Sequence, residues 1–417
     1  MSVQRFFQVS IGVIFTAVVV LFLVSLYLYH EVDEDSRSSN DKKLEISGSS
    51  LVGYHEGRLS WRVSSDQIWA GRSKYIFQAS SVETGQVYDR QGRLILDDIF
   101  AQKLKVNTKS KVVSAFGGVG VSWLRYEANG KMPKKDIDVV ADNLRYYDYS
   151  RTAYLSGHVV FSKDDVQVRP KRDIRVDLDQ NNAYILHGFE LVSDSFLVLA
   201  NKMTIDIDQE MASISGNIRL VRVPERALDP SLDLREQDLR GKGVSLSCEV
   251  ITYEMADDAD VLWLKGDIKL QQHDKKVQSR YGYYNENKNQ FRVWGGVLFR
   301  SGTLDWIIDR SRKDSFHGKE VREALFKSLE VVCDRLNFDG DLKMLKGVGN
   351  IKITQDDKTI TCHIFEFNDA KSKLDLYGNV SVVMTDGKSF KARALSLNLL
   401  DETFEAVEGA ESEFVIE

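Results

Sequence analysis

Residues 200–218 begin Ala200-Asn201-Lys202-Met203 and end Ile214-Ser215-Gly216-Asn217-Ile218, and their pattern recurs along the chain. A small residue is followed 16 to 18 positions later by a glycine that opens a short alternating strand. Such self-similarity is typical of stacked units that are each too small to bury their own apolar face. The pairs are Ala101/Gly117, Ala141/Gly157, Ala200/Gly216, Cys248/Gly266, Ser279/Gly295, Cys333/Gly349, Cys362/Gly378 and Ala392/Gly409.

The positions after these glycines define the candidate binding residues. The next residue is mostly a type that tolerates a positive φ or bends a strand, such as Asn217 or Asp267. Apolar residues then follow at +2 and +4, which places both on one face of a strand. Stacking the units should align these pairs into one apolar stripe. The twelve residues are Val159, Phe161, Ile218, Leu220, Ile268, Leu270, Val297, Phe299, Ile351, Ile353, Val380 and Val382.

The remaining pattern predicts the fold. Apolar residues at +3 and +5 from the small residue indicate a first strand, and polar clusters then indicate a turn. We expect an all-β fold, an elongated open β-jelly-roll stack. The chain's three cysteines, Cys248, Cys333 and Cys362, occupy small-residue positions, so we expect small buried hydrophobes and no disulfide of structural importance.

The N-terminus predicts a membrane anchor. Residues 9–29 are almost continuously apolar and long enough to span a bilayer. Arg5 precedes them and an acidic cluster at 31–35 follows, which favours a cytoplasmic N-terminus and puts the bulk of the chain outside the cytoplasm. A cleaved signal peptide is the alternative, but no small-residue cleavage site follows.

The chain divides into a cytoplasmic tip and anchor at 1–30, a tether at 31–50, a first β segment at 51–130 and the repeats at 137–417, with a hinge expected at 223–241.

With 56 basic and 62 acidic residues, the net charge of −6 carries no nucleic-acid signature. The histidines and acidic runs lack metal-ligand spacing, and no nucleophile or phosphate-loop motif is present. We therefore predict no enzyme activity, cofactor or metal.

Two phrases resemble a known family. Residues 141–159 and 200–218 resemble the OstA-like repeat of LptA and of the LptD N-terminus, and residues 57–121, behind a single anchor, resemble LptC. This resemblance implies a β-jelly-roll bridge that carries lipopolysaccharide or a similar glycolipid. It would run from an inner-membrane ABC transporter toward a further bridge protein or an outer-membrane LptD-like receptor. The chain would sit in the inner membrane through residues 9–29, with its bulk in the periplasm.

We expect the twelve-residue stripe to line a groove for acyl chains. The same alternation fits a filled core, so a structural or adhesin-type β stalk with a sealed interior is the alternative. A carbohydrate-active parallel β-helix would need carboxylates or basic residues recurring at one position of each unit, and the sequence has no such recurrence.

Overall fold

A computed structural model describes residues 44–70, 73–126, 133–224, 241–254, 261–285, 287–303, 326–399, 403–407 and 411–413. The strands are β1 (Leu44–His55), β2 (Arg58–Ala70), β3 (Ile76–Tyr88), β4 (Leu94–Asn107), β5 (Val112–Tyr126), β6 (Pro133–Tyr147), β7 (Thr152–Ser156), β8 (Val160–Lys163), β9 (Val166–Pro170), β10 (Ile174–Asp177), β11 (Asn182–Ile185), β12 (Phe189–Val192), β13 (Phe196–Ala200), β14 (Lys202–Asp206), β15 (Met211–Arg222), β16 (Val244–Glu254), β17 (Val261–Gln272), β18 (Lys275–Asn285), β19 (Gln290–Ser301), β20 (Leu329–Asp339), β21 (Met344–Gln355), β22 (Lys358–Asn368), β23 (Lys373–Met384), β24 (Ser389–Asn398), β25 (Thr403–Val407) and β26 (Glu411–Glu413).

These strands form one antiparallel sheet of 26 strands. From β15 to β24 each strand pairs with the one before and the one after it along most of its length. Between β6 and β15 the long strands are interrupted at their middle, so β7 and β8 both pair with β6, and β13 and β14 both pair with β15. The prediction of an all-β stack of hairpin units is confirmed.

In the repeat, every second long strand bends at a bulge made by the repeat glycine and its successor. Gly216 and Asn217 have φ values of 78° and 50°, and the pairing of β15 with β16 shifts between Ser215 and Ile218. The prediction that the residue after the repeat glycine adopts a positive φ is therefore confirmed at Asn217. The other paired left-handed residues are Gly117/Gly118, Gly157/His158, Gly266/Asp267, Gly295/Gly296, Gly349/Asn350 and Gly378/Asn379.

The position of these glycines corrects the sequence analysis in one respect. Gly216 lies inside a strand of 12 residues, not at the start of a short one, because the ladder continues on both sides of the bulge. At Gly157 a new strand, β8, does follow. The structure also adds a unit that the sequence pattern missed. Phe189 follows the left-handed Gly188 and pairs with Pro170 and Ala200, so a proline occupies that small-residue position.

The bends fold the sheet over on itself, and inward side chains from both halves of the strands pack together. One cluster extends from Trp61 to Ile268 and a second from Val277 to Leu395. Leu270 packs against both. The division falls at β18, which has Ser279 and Gly282 among its buried positions. This two-walled arrangement confirms the open β-jelly-roll stack.

Several domain predictions concern residues at the N-terminus. The anchor at 9–29 and the tether up to residue 43 lie outside the described residues. Residues 44–50, predicted as the end of the tether, instead form the first part of β1. Among the described residues, no helix has the length and apolar character needed to cross a membrane.

The sheet continues across the predicted internal boundaries. β5 and β6 pair from Val112↔Tyr147 to Tyr126↔Pro133, on either side of the boundary between segments 51–130 and 137–417. Most of the predicted hinge, residues 225–240, lies outside the described part. The flanking strands β15 and β16 pair from Met211↔Glu254 to Arg222↔Val244.

Candidate functional site

The predicted stripe lies on the inner face of the sheet, on one wall of the interior. Its alternation is clear at Ile351, Lys352 and Ile353, where the two isoleucines are buried and the lysine is exposed. The six residues at +2 are all buried at the bend: Val159, Ile218, Ile268, Val297, Ile351 and Val380. Of the six at +4, three are buried and three half-buried: Phe161, Phe299 and Ile353, and Leu220, Leu270 and Val382.

The small residue of one unit pairs across the sheet with the +2 apolar residue that follows the glycine of the preceding unit. Ile218 pairs with Cys248, and Ile351 pairs with Cys362. A small residue is needed because the branched side chains crowd the bend on the neighbouring strands. The pairs Ile268↔Ser279, Val297↔Cys333 and Val380↔Ala392 follow the same rule.

The three cysteines are free and buried at these positions, as the small-residue assignment predicted. Burial raises the pKa of the Cys248 and Cys333 thiols from 9.0 to about 12, and that of Cys362 to about 11. They therefore act as small apolar side chains and not as nucleophiles.

The +4 residues belong to a longer row, which we name the first rim row. Each member pairs with the next across the sheet, so the row is continuous from β15 to β24. Its members are Leu220, Leu246, Leu270, Val277, Phe299, Val331, Ile353, Ile360, Val382 and Phe390.

A second rim row lines the opposite wall. In the sequence, part of this row is visible, as the apolar strand positions at +5 from the small residue. Members of both rows pack against the same cluster, for example Val382 and Leu374. The second rim row is Tyr253, Leu262, Tyr284, Phe291, Phe338, Leu345, Phe367, Leu374 and Leu397.

We call the space between the rim rows the trough, and its mouth is open from β16 to β24. Most residues of the second rim row are only half-buried, and Phe338 is 41% exposed. The same register continues into β6–β15, but there every member is buried, including Tyr146, Ala183 and Ala212. The interior is thus closed in its N-terminal part and open in its C-terminal part.

Polar groups at strand ends and turns close the N-terminal part. The buried Arg151 donates from Nε to Asp179 Oδ1 at 2.7 Å, from Nη1 to Ser60 Oγ at 3.2 Å and from Nη2 to the Tyr88 carbonyl oxygen. Ser60 Oγ in turn donates to Asp148 Oδ1 at 2.6 Å. Because one guanidinium satisfies several acceptors, the charge is compensated inside the protein.

Two further contacts extend this closure. Trp123 Nε1 donates to Asn181 Oδ1 at 2.5 Å, and Asn181 Nδ2 donates to Asp208 Oδ1 at 2.9 Å. Burial raises the pKa of Tyr146, beside Arg151, to about 12, so its hydroxyl stays protonated. Trp123, Asn181 and Asp208 thus connect β5 to two turns that are distant from it in the chain.

The trough offers apolar contact surface and no reactive group. Its rim rows consist of aliphatic and aromatic side chains, and the two hydroxyls belong to Tyr253 and Tyr284. Within the part of the chain that the structure describes, no group of three His, Cys, Asp or Glu side chains is placed to hold a metal ion. Such a surface binds hydrocarbon by removing it from water.

One family model matches a segment that overlaps the closed part of the interior. Residues 65–182 match the family of the LptA/(LptD N-terminal domain) LPS transport protein. This match confirms the LptA- and LptD-type resemblance for a segment that runs from within β2 to the start of β11. It also reaches into segment 51–130, whose resemblance to LptC stays a prediction.

One solved structure matches part of this chain. It is the crystal structure of LptH, the LptA-homologous periplasmic component of the lipopolysaccharide transport device from Pseudomonas aeruginosa. The identity is 10%, with 42% of this chain and 94% of LptH covered at a TM-score of 0.19, which is too low to support an argument. No curated protein sequence matches this chain.

Proposed function

We propose that this chain is a non-enzymatic periplasmic bridge that binds lipopolysaccharide acyl chains in the trough. It passes them from an inner-membrane ABC transporter toward the outer membrane. The observation that carries the proposal is the mostly half-buried second rim row, which faces a first rim row with five of its ten members buried. Both rows belong to the same sheet as residues 65–182, which match a lipopolysaccharide transport family.

The physical basis is burial without covalent chemistry. An acyl chain between the rim rows removes its own methylenes from water and covers the exposed edge of residues such as Phe338. Each buried methylene contributes roughly 0.8 kcal/mol, so ten give about 8 kcal/mol before ordering costs. Because each rim residue pairs with the next, a chain can move along the trough without leaving apolar surface.

The first two stripe residues have a different setting. Val159 and Phe161 lie in the closed part and are buried. Lipid contact there requires the turns held by Arg151 to separate. We therefore expect lipid to occupy the open part from β16 to β24 in the resting protein.

The two ends of the sheet are the places where partners attach. Unpaired strand edges recruit further strands. Among the described residues, β1 pairs only with β2. At the other end Phe404 of β25 continues the second rim row and is 67% exposed, with its ring 6.3 Å from that of Phe390. We assign the transporter to the β1 edge and a further bridge protein or LptD-like receptor to the β25–β26 edge.

Trp61 in β2 and Leu395 in β24 each lie one strand inward from these edges and are buried. The outer partner should therefore depend on the strands beyond β24. Deleting residues 403–417 should abolish crosslinking to the outer partner. Retained partner capture and transport after this deletion would contradict the assignment.

The location follows from the anchor prediction. Residues 9–29 would hold the chain in the inner membrane, with Arg5 on the cytoplasmic side and the sheet in the periplasm. A reporter fused after Glu417 should be active only outside the cytoplasm. A mature protein lacking residues 1–29 would contradict the anchor.

Glycolipid loading tests the proposed function. The full-length chain is purified in mild detergent, and bound lipopolysaccharide is quantified by mass spectrometry. Ile353→Asp puts a carboxylate into the first rim row, where an unpaired charge is costly, and should reduce loading at least tenfold. Lys352→Asp is the matched control on the outer face and should load normally. A folded protein without lipid would support the sealed stalk.

A further inference from the structure

A second apolar surface lies on the outer face of β17–β20, away from the trough. Trp263 pairs with Tyr283, and Tyr281 pairs with Trp294. The first pair of rings meets edge to face at 4.7 Å between centroids, and the second is stacked at 5.8 Å. Trp263 is 43% exposed and Tyr281 39% exposed. We name these four residues the outer aromatic platform.

Polar groups converge on the platform in a pocket of 410 Å³. The Arg292 guanidinium lies 5.7 Å from the centre of the Tyr283 ring. The Arg335 side chain, exposed at the pocket, makes no ion pair or hydrogen bond with any described residue. Asn337 also lines the pocket, and its Oδ1 is buried with no donor in the described part of the chain. A buried acceptor without a donor is costly, so a ligand hydroxyl would be stabilising there.

Cross-strand aromatic pairs stabilise a sheet, but that role does not account for the whole arrangement. Stabilising the sheet requires neither the unpaired guanidinium of Arg335 nor the unsatisfied amide oxygen of Asn337. Lys265, exposed beside Tyr281 on the next strand, adds another positive charge. Among the described residues, Glu254 is an acid in contact with the platform, and its Oε1 accepts a hydrogen bond from Trp263 Nε1 at 3.0 Å. The surface therefore combines flat rings, excess positive charge and a free acceptor.

We propose that the outer aromatic platform binds an anionic saccharide. The C–H faces of sugar rings pack on indole and phenol rings, which present apolar area with little conformational entropy. Arg335 and Arg292 would bind a phosphate or carboxylate on the sugar. A sugar hydroxyl would donate to Asn337 Oδ1.

The position of the platform points to the source of this saccharide. Trp263 and Asn337 are each one residue from a second-rim-row residue, Leu262 and Phe338, on the opposite face of the same strands. A head group that leaves the trough over the second rim row, at Leu262 and Phe338, reaches the platform directly. The assigned ligand is therefore the phosphorylated saccharide of the glycolipid in the trough, and this assignment rests on the proposed function.

The test uses the full-length chain in detergent and, as probe, lipopolysaccharide stripped of all acyl chains by alkali, which retains sugars and phosphates. Binding is measured by isothermal titration calorimetry. Trp263→Ala should weaken binding at least tenfold, since aromatic anchors dominate such contacts. Arg335→Gln should weaken binding and abolish the preference for phosphorylated over dephosphorylated probe. Tyr377→Ala, at an exposed outer aromatic of β23, is the matched control and should bind normally.

Glycolipid loading of the same variants separates this inference from the proposed function. The platform is overturned if the probe does not bind, or if Trp263→Ala binds it as tightly as the unchanged protein does. Lipid binding in the trough would still hold in that case if Ile353→Asp reduces glycolipid loading. The opposite result is that Trp263→Ala weakens probe binding while Ile353→Asp leaves glycolipid loading unchanged. It would overturn lipid binding in the trough and, with it, the assignment of the saccharide as a head group. Binding to saccharide-free phospholipid vesicles in place of the probe would make the platform a membrane contact and overturn the proposal.

Discussion

The bulge of β21 gives the sharpest test of how the repeat bends the sheet. Gly349 and Asn350 have φ values of 80° and 44°, and Asn350 Nδ2 donates to Asp334 Oδ2 at 2.8 Å. A Cβ at position 349 would lie 2.9 Å from the Asp334 carboxyl carbon. Gly349→Ala must therefore hold an alanine in the left-handed region, at about 1–2 kcal/mol, and displace Asp334, at about 1 kcal/mol.

The predicted loss of about 2–3 kcal/mol corresponds to roughly 30- to 150-fold in an equilibrium constant. In a stack of repeats the opening is local, so hydrogen–deuterium exchange of β21 and β22 amides should accelerate by that factor. Asn350→Gly is the control in the same bulge. Glycine adopts a positive φ without strain, so only an exposed hydrogen bond is lost and exchange should change less than about threefold. Equal acceleration by the two substitutions would refute the bulge argument.

Three further variants test the interior. Replacing Cys248, Cys333 and Cys362 by alanine should reduce the loss of stability between pH 9 and 12, measured by urea unfolding. The raised thiol pKa values favour the folded state below pH 9, and this contribution disappears as the folded thiols ionise; identical pH profiles would count against it. Arg151→Met should lower the free energy of unfolding by roughly 1–3 kcal/mol because the Tyr88 carbonyl oxygen and Ser60 Oγ lose their buried donor, and an unchanged urea midpoint would contradict the closure. Phe338→Ser should cost less than the roughly 3–5 kcal/mol of a fully buried phenylalanine, yet reduce glycolipid loading; unchanged loading would exclude Phe338 from the lipid contact.

The bends were predictable from sequence because their cause is local. At the repeat position, a glycine followed by Asn, Asp, His or Gly marks two left-handed residues, and this holds for every predicted unit from Gly117 to Gly378. The small-residue position was also recognisable in the sequence, except at Pro170, where a proline replaces the expected Ala, Ser or Cys. The partnership of Ile218 with Cys248 required the register, which a periodic pattern does not specify.

The closed and open parts of the interior could not be distinguished from sequence. A filled core and a lined trough share the same alternation, as the buried Ala183 and the half-buried Leu374 show. The closure depends on contacts such as Ser60 with Asp148, which are 88 residues apart. The outer aromatic platform was hidden for the same reason, since Trp263 and Tyr283 become neighbours only through strand pairing.

Site-specific photo-crosslinking of lipopolysaccharide in cells tests the trough most directly. Photo-reactive residues are placed at Ile353 and Val382 on one wall, at Phe338 on the other, and at the outward-facing Lys352 and Arg219. We predict lipopolysaccharide adducts at the three inward positions and none at the two outward ones. Equal labelling at inward and outward positions, or no adduct at any position of a folded protein, would contradict lipid binding in the trough.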